Sequence, residues 1–178
     1  MPSFNIILSA ALIASVSLNL AQKREVNKLR TGELLDPGTY MTHIEALTPD
    51  GTVGHISPGG FRPTILYVFS PRCQWCTQNQ ANIRTLAKKV ADRYRVVGLS
   101  LTDRGLREYL RRSPLPFDVY TNPSADAVAA YKLQSAPQTL VVAANGRLER
   151  VWRGAYAGEQ RAEVEEYFNA RLPGLTAQ

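Results

Sequence analysis

The sequence predicts an α/β domain, a central sheet flanked by helices, from three observations. Short runs rich in β-branched and aromatic residues, Thr64 to Phe69 (TILYVF), Arg95 to Leu101 (RVVGLSL) and Gln138 to Ala143 (QTLVVA), have the composition of strands buried on both faces. Segments with apolar residues at helical spacing separate them. The strand–helix–strand alternation then implies a mostly parallel sheet with right-handed crossovers. A length of 178 residues suits one domain with a tail, and 44% hydrophobic against 20% charged residues is the balance of a globular protein.

The chain begins with an uncharged apolar stretch from Phe4 to Leu20 (FNIILSAALIASVSLNL), a continuous helix candidate. It sits at the lower limit for crossing a bilayer and slightly above the apolar core of a signal peptide. No Lys or Arg precedes it, whereas Lys23, Arg24, Lys28 and Arg30 follow, an order that the positive-inside rule reads as a cytoplasmic domain. No clear A-x-A cleavage pattern lies near Leu18 to Gln22, which favours an uncleaved anchor over a cleaved signal. Residues 1–22 are thus expected to be a membrane anchor or signal segment. Residues 23–38, ending in Asp36-Pro37-Gly38, are the expected linker, and 39–178 the folded domain. A terminal helix packed on a soluble body is the alternative.

Within the domain, Tyr40 to Leu47 and Thr52 to Ile56 flank Thr48-Pro49-Asp50-Gly51 and predict a leading hairpin. After Pro58-Gly59-Gly60 comes the first buried strand, ending at Ser70. From Gln74 onward, Ile83, Leu86, Ala87, Val90 and Tyr94 recur at helical spacing and predict one helix. A helix over Asp103 to Arg112, a strand over Phe117 to Tyr120 and a short helix over Ser124 to Tyr131 follow. Asn145-Gly146 turns the Gln138 strand into a partner at Leu148 to Arg153. Val164, Tyr167, Phe168 and Leu172, ahead of Pro173-Gly174, predict a closing helix.

A net charge of +6 invites a polyanionic partner. The cations Lys88, Lys89, Arg93, Arg95, Arg104, Arg107, Arg111 and Arg112 are instead spread over two predicted helices without aromatic stacking platforms, the pattern of solvated faces. No nucleic-acid partner is expected.

Only two cysteines are present, Cys73 and Cys76, which excludes a disulfide-stapled scaffold and leaves a local pair. They lie in Ser70-Pro71-Arg72-Cys73-Gln74-Trp75-Cys76, where a buried strand hands over to a helix. Unpaired N–H groups at a helix start favour a thiolate on Cys73, and Arg72 adds a nearby cation. Cys76, one helical turn deeper on the same face, can close a disulfide with it. The spacing also serves zinc and c-type haem. Haem attachment wants His after the second Cys, where Thr77 stands, and the only histidines, His43 and His55, lie in the hairpin region without ligand spacing. No metal or organic cofactor is expected. Ala136-Pro137-Gln138-Thr139 opens a buried strand, and a cis Pro137 facing the cysteines would present the Ala136 backbone to a bound polypeptide.

Strand, CxxC, helix, crossover, Ala-Pro-Gln-Thr, hairpin and closing helix, in that order, resemble the thioredoxin superfamily. Within it, the exported TlpA/ResA-like thiol-disulfide oxidoreductases are the nearest likeness, over about Thr39 to Leu172. The leading hairpin with Asp50-Gly51, the extra strand and helix between Val96 and Tyr131, and LVVAANGRLERVWRG after Pro137-Gln138-Thr139 support that subgroup. The resemblance implies a thioredoxin-like fold with a central mixed sheet and thiol–disulfide exchange at Cys73 and Cys76. It also implies substrate contacts at Ala136, Pro137, Trp75 and Arg72. The implied setting is a membrane-anchored, periplasmic domain acting on protein thiols or disulfides, apocytochromes among them, with a membrane electron donor.

Two positions depart from that pattern. Arg72 precedes the first Cys where many members have Trp or Tyr, and Tyr67 occupies the place of the buried acid of thioredoxins proper, which implies slower turnover. Glu45, Asp103 and Asp118 are the nearby carboxylates. Two other readings stay open. One is a peroxiredoxin-like thiol peroxidase, although Ser70 stands where its threonine would be; the other is a binding module whose cysteines form a structural disulfide.

Overall fold

The computed structural model describes residues 34–176, together with Ser15 and Asn19. Apart from those two, the expected anchor at 1–22 lies outside the described residues, as does most of the linker; among the described residues no helix is long and apolar enough to cross a membrane. The strands are β1 (Ile44–Leu47), β2 (Val53–Ile56), β3 (Thr64–Phe69), β4 (Arg95–Ser100), β5 (Asp118–Thr121), β6 (Gln138–Val142) and β7 (Leu148–Arg153). The helices are α1 (Gln74–Gln78), α2 (Gln80–Lys89), α3 (Leu106–Arg112), α4 (Ala125–Ala130) and α5 (Gly158–Phe168).

A run of apolar residues without polar alternation has no face to give to water, so it belongs inside a sheet covered on both sides. β3 behaves this way, with all 6 residues buried. It lies between β4, which runs parallel to it, and β6, which runs antiparallel, in a 7-stranded sheet of order β2-β1-β5-β4-β3-β6-β7.

The sheet is mixed, and the mostly parallel arrangement implied by the alternation is corrected. Only β3/β4 and β4/β5 are parallel; β1/β2, β1/β5, β3/β6 and β6/β7 are antiparallel. Helical crossovers join the parallel pairs, whereas tight turns join β1 to β2 and β6 to β7 and impose antiparallel pairing.

Successive side chains of β3 alternate between two cores. Ile65, Tyr67 and Phe69 meet Cys76, Ile83, Leu86, Val164 and Phe168 on one face. Leu66 and Val68 meet Ile44, Ile56, Tyr131 and Leu133 on the other. Leu35 is buried in this second core, and the Gly38 N–H donates to Leu148 O at 2.7 Å. The compact unit therefore begins at Leu35, and residues 35–38 of the expected linker belong to the folded body.

Two further differences concern helices. The single helix expected after the cysteines is divided at Asn79 into α1 and α2. Backbone bonds carry across the junction, with Asn79 N donating to Trp75 O and Ile83 N to Asn79 O. The buried Asn79 side chain is pulled inward, its Oδ1 accepting from Tyr156 N and Asn82 Nδ2, both at 3.0 Å. The closing helix ends at Phe168, where Asn169 turns left-handed at φ 49°. Leu172 lies beyond the helix, yet it is buried, and its N–H donates to Glu165 Oε1 at 2.7 Å.

Phe168 holds this end of the molecule together. It is fully buried, with ring centroids 4.9 Å from Tyr167, 5.3 Å from Tyr94 and 5.8 Å from Trp152. Phe168→Ala is expected to cost about 3–5 kcal/mol of unfolding free energy, from lost transfer energy plus the cavity left behind. Urea unfolding measures it, and a loss under about 1 kcal/mol would contradict the packing described.

Candidate active site

Where β3 ends, Ser70 and Pro71 turn the chain so that Cys73 N donates to Ser70 O at 3.1 Å. Cys73 then caps α1. Its backbone is extended (φ −82°, ψ 114°), and its Sγ accepts the Cys76 N–H at 3.2 Å, the place a Ser or Asp oxygen takes in an ordinary cap. The Cys73 carbonyl accepts the Thr77 N–H at 3.1 Å, which starts the helix.

Both cysteines are free thiols, Cys73 half-buried and Cys76 fully buried. Burial pushes the Cys76 thiol well above its ordinary range, and a hydrogen bond with the Cys73 sulfur pushes it further in the same direction. The pair is thus asymmetric, with an outer sulfur open to a partner and an inner one held protonated.

The other wall comes from the start of β6. Register pairing of Val68 with Gln138 brings that start beside the end of β3. The Ala136–Pro137 peptide is cis, and Ala136 O accepts from Cys73 Sγ at 3.4 Å. The structure therefore brings Cys73, Cys76, Ala136 and Pro137 together.

Arg72, before the first cysteine, and Trp75, between the two, are both exposed, Trp75 to 55%. Arg72 lines a hollow of about 250 Å³ with Pro71, Thr77, Gln80, Tyr109 and Arg112. Glu45, Asp103 and Asp118 are all exposed. His43 and His55 are exposed as well, their rings edge to face at 5.7 Å. Among the described residues no group of three His, Cys, Asp or Glu side chains is arranged to hold a metal ion.

Beneath the thiols lies a buried polar cluster that the sequence reading did not identify. Asn82 Nδ2 donates to Tyr156 O at 3.3 Å, Asn82 Oδ1 accepts from Gly174 N at 2.8 Å, and the Thr139 and Tyr156 hydroxyls share a hydrogen bond of 2.6 Å. The available signal was that Asn79 and Asn82 interrupt the apolar stripe running from Cys76 to Ile83 and Leu86; a polar residue at such a position needs a buried partner. The rings of Tyr67, Phe69 and Tyr109 stack in sequence at 5.7 and 5.3 Å, and Tyr109 Oη donates to Cys76 O at 3.5 Å.

No protein-family model and no curated protein sequence matches the chain. Solved structures do match. A Chlorobium tepidum protein assigned as the thiol:disulfide interchange protein DsbE superposes with a TM-score of 0.64 at 20% identity, over 76% of this chain and 96% of that one. The thioredoxin domain of a thiol-disulfide oxidoreductase from Bacteroides vulgatus gives 0.62 at 13% identity, over 76% and 99%. A secreted Mycobacterium tuberculosis disulfide oxidoreductase, described as homologous to DsbE of E. coli, gives 0.56 at 16% identity, over 70% and 93%. The chain has the thioredoxin-like fold of these neighbours, with its mixed 7-stranded sheet flanked by helices.

The raised Cys76 thiol carries a pH signature. A free thiol loses its proton around its ordinary value of 9.0, whereas the folded Cys76 keeps it at higher pH. Above that value the unfolded chain binds fewer protons than the folded one, so stability present below pH 9.0 is lost as pH rises. The slope attributable to Cys76 is up to about 1.4 kcal/mol per pH unit. The buried tyrosines Tyr67, Tyr109 and Tyr156, raised from 10.0, add their own slope only above pH 10.0. Urea titrations of the reduced protein between these limits are expected to show the loss, and Cys76→Ala to remove it; an equal slope in the variant would refute the assignment.

Proposed function

We propose that the protein is a thiol-disulfide oxidoreductase that exchanges disulfides with protein substrates outside the cytoplasm through Cys73-Gln74-Trp75-Cys76. One observation supports this above the others. A single half-exposed sulfur, Cys73 Sγ, lies 3.2 Å from the Cys76 N–H and 3.4 Å from the carbonyl of Ala136, with a second, buried thiol one turn behind it.

The cycle follows from that placement. The Cys73 thiolate, keeping the Cys76 N–H as a donor, attacks one sulfur of a substrate disulfide. The substrate S–S bond breaks, a mixed disulfide forms, and the first substrate sulfur leaves with the electron pair and takes up a proton. Cys76 then loses its proton and attacks Cys73 Sγ, which releases the second substrate sulfur and closes the Cys73–Cys76 disulfide. Two electrons pass from the protein's dithiol to the substrate. Ala136 and Pro137 form the edge on which an extended substrate segment pairs its backbone, while Trp75 offers an exposed apolar face beside the sulfur and Arg72 a cation.

The solved neighbours support this chemistry by what their descriptions say of them, disulfide oxidoreductase among them. The apolar stretch from Phe4 to Leu20 supports a membrane tether. The periplasmic side is proposed against the charges that follow that stretch and on the strength of the exchange chemistry, one neighbour with that chemistry being described as secreted. There a donor in the membrane re-reduces the disulfide, and unfolded, disulfide-bearing proteins such as apocytochromes are the substrates.

Insulin reduction by the full chain with a chemical reductant tests the reading. Cys73→Ser is expected to abolish activity. Cys76→Ser is expected to accumulate a covalent adduct with the substrate, visible as a mass increase that reductant removes. Unchanged activity in Cys73→Ser, or peroxide consumption by a protein inert toward disulfides, would overturn it.

A further inference from the structure

Resolution of the mixed disulfide requires a buried thiol to give up its proton, and among the described residues no carboxylate is one of the groups that chiefly shift the Cys76 thiol, Glu45, Asp103 and Asp118 all being exposed. Cys76 shares one core with Tyr67 from β3 and Tyr109 from α3, the Tyr109 hydroxyl donating to its carbonyl, and its N–H donates to the Cys73 sulfur at the helix cap. Among these, Tyr67 is distinctive. It is completely buried, and its hydroxyl makes no hydrogen bond among the described residues. A buried polar atom in that condition costs stability, on the order of 1–3 kcal/mol, and calls for an explanation in function.

Its surroundings supply one. Cys76 and Asn79 are three residues apart and fully buried, so they share one helical face, and that face lies on Tyr67. Asn79 Oδ1 is already held by Tyr156 N and Asn82 Nδ2, which turns its Nδ2 toward the phenol; Nδ2 is also buried without a hydrogen bond. The amide lies against Tyr67 and favours the ionised phenol, without closing a bond of good geometry. Burial outweighs this and keeps the phenol neutral, which leaves its O–H as a donor.

We propose that Tyr67, backed by Asn79, is a positioning residue for the resolving step, its O–H donating a hydrogen bond to Cys76 Sγ as that sulfur becomes a thiolate. This rests on the exchange cycle above and adds to it how an inner thiol ionises without a neighbouring acid. Tyr67 neither gives up nor receives a proton overall. The proton leaves Cys76 Sγ and ends on the departing substrate sulfur, or in water where that sulfur leaves as a stable aromatic thiolate; the Cys73–substrate S–S bond breaks as the Cys73–Cys76 bond forms, and the phenol stabilises the anion in between. A hydrogen bond to an ionised group is worth more than a neutral one, so the contact favours the thiolate over the thiol.

The experiment mixes the reduced full-length protein with a symmetric aromatic disulfide that releases one coloured thiolate per step. The first release reports attack by Cys73 and the second reports resolution by Cys76. In Tyr67→Phe the ratio of the second rate to the first is expected to fall about tenfold or more at neutral pH, the rate equivalent of one charge-assisted hydrogen bond. The pH dependence of the second release is expected to move to higher pH. Thermal stability should hold or rise, because the variant removes a buried hydroxyl that makes no hydrogen bond among the described residues. An unchanged ratio and pH profile in Tyr67→Phe would overturn the inference, as would a slower second release with an unmoved pH profile in a destabilised protein. A wild-type protein that releases no coloured thiolate would instead count against the exchange reading itself.

Discussion

A cysteine sulfur serves as the helix cap, and the rest of the site depends on that contact. The Cys73 sulfur satisfies the Cys76 N–H, so the first residue able to react and the first turn of α1 are fixed by one hydrogen bond. The cap holds Cys73 at the rim, where the Ala136 carbonyl meets it. It also places Cys76 one turn inward, over the face where Tyr67, Phe69 and Tyr109 stack. Moving the cap by one residue would rotate the second sulfur off this face by about 100° and separate the pair.

The sheet fixes the other half. β3 carries the cysteine turn at its end, and β6 runs antiparallel to it, so the end of one strand and the start of the other lie side by side. Two chain segments more than sixty residues apart therefore reach the same sulfur. The buried polar cluster performs a similar service below. Asn79, Asn82 and Tyr156 tie the helix bend to the loop after β7, and through Gly174 to the last described segment. Most of its polar atoms are paired, which a dry core requires. Buried Tyr67 Oη and Asn79 Nδ2 stand out against that background.

Much of this was legible in the sequence because it depends on local chemistry. The TILYVF run, the Asn145-Gly146 turn and the cysteine spacing each signal their own geometry, and all seven strands lie within the predicted segments to a residue or so. What the sequence hid was set at a distance. Strand direction follows from which strands meet after the crossovers, so alternation alone overstated the parallel share of the sheet. The break at Asn79 depends on Tyr156, a residue far along the chain. Leu172 keeps the helical spacing although the helix ends at Phe168, because a buried apolar residue in a tail shows the same periodicity as one on a helix face. Leu35 escaped because its polar neighbours looked like a tether, while its own side chain was enough to anchor the chain in the second core.

The division of labour between the two sulfurs comes from depth more than from neighbouring charge. Arg72 is exposed and Cys73 half-buried, so much of any charge effect there is screened by water. Cys76 is dry, and its ionisation is governed by desolvation first and by the Cys73 sulfur second. In the exchange cycle proposed above, a partner disulfide reaches the outer sulfur first, and the inner one reacts after the outer has been engaged. The proposed order of events would then be set by the register of a single helical turn. The two residues between the cysteines are exposed, Trp75 largely so, whereas the contacts that place the sulfurs run through Cys73 and Cys76 themselves.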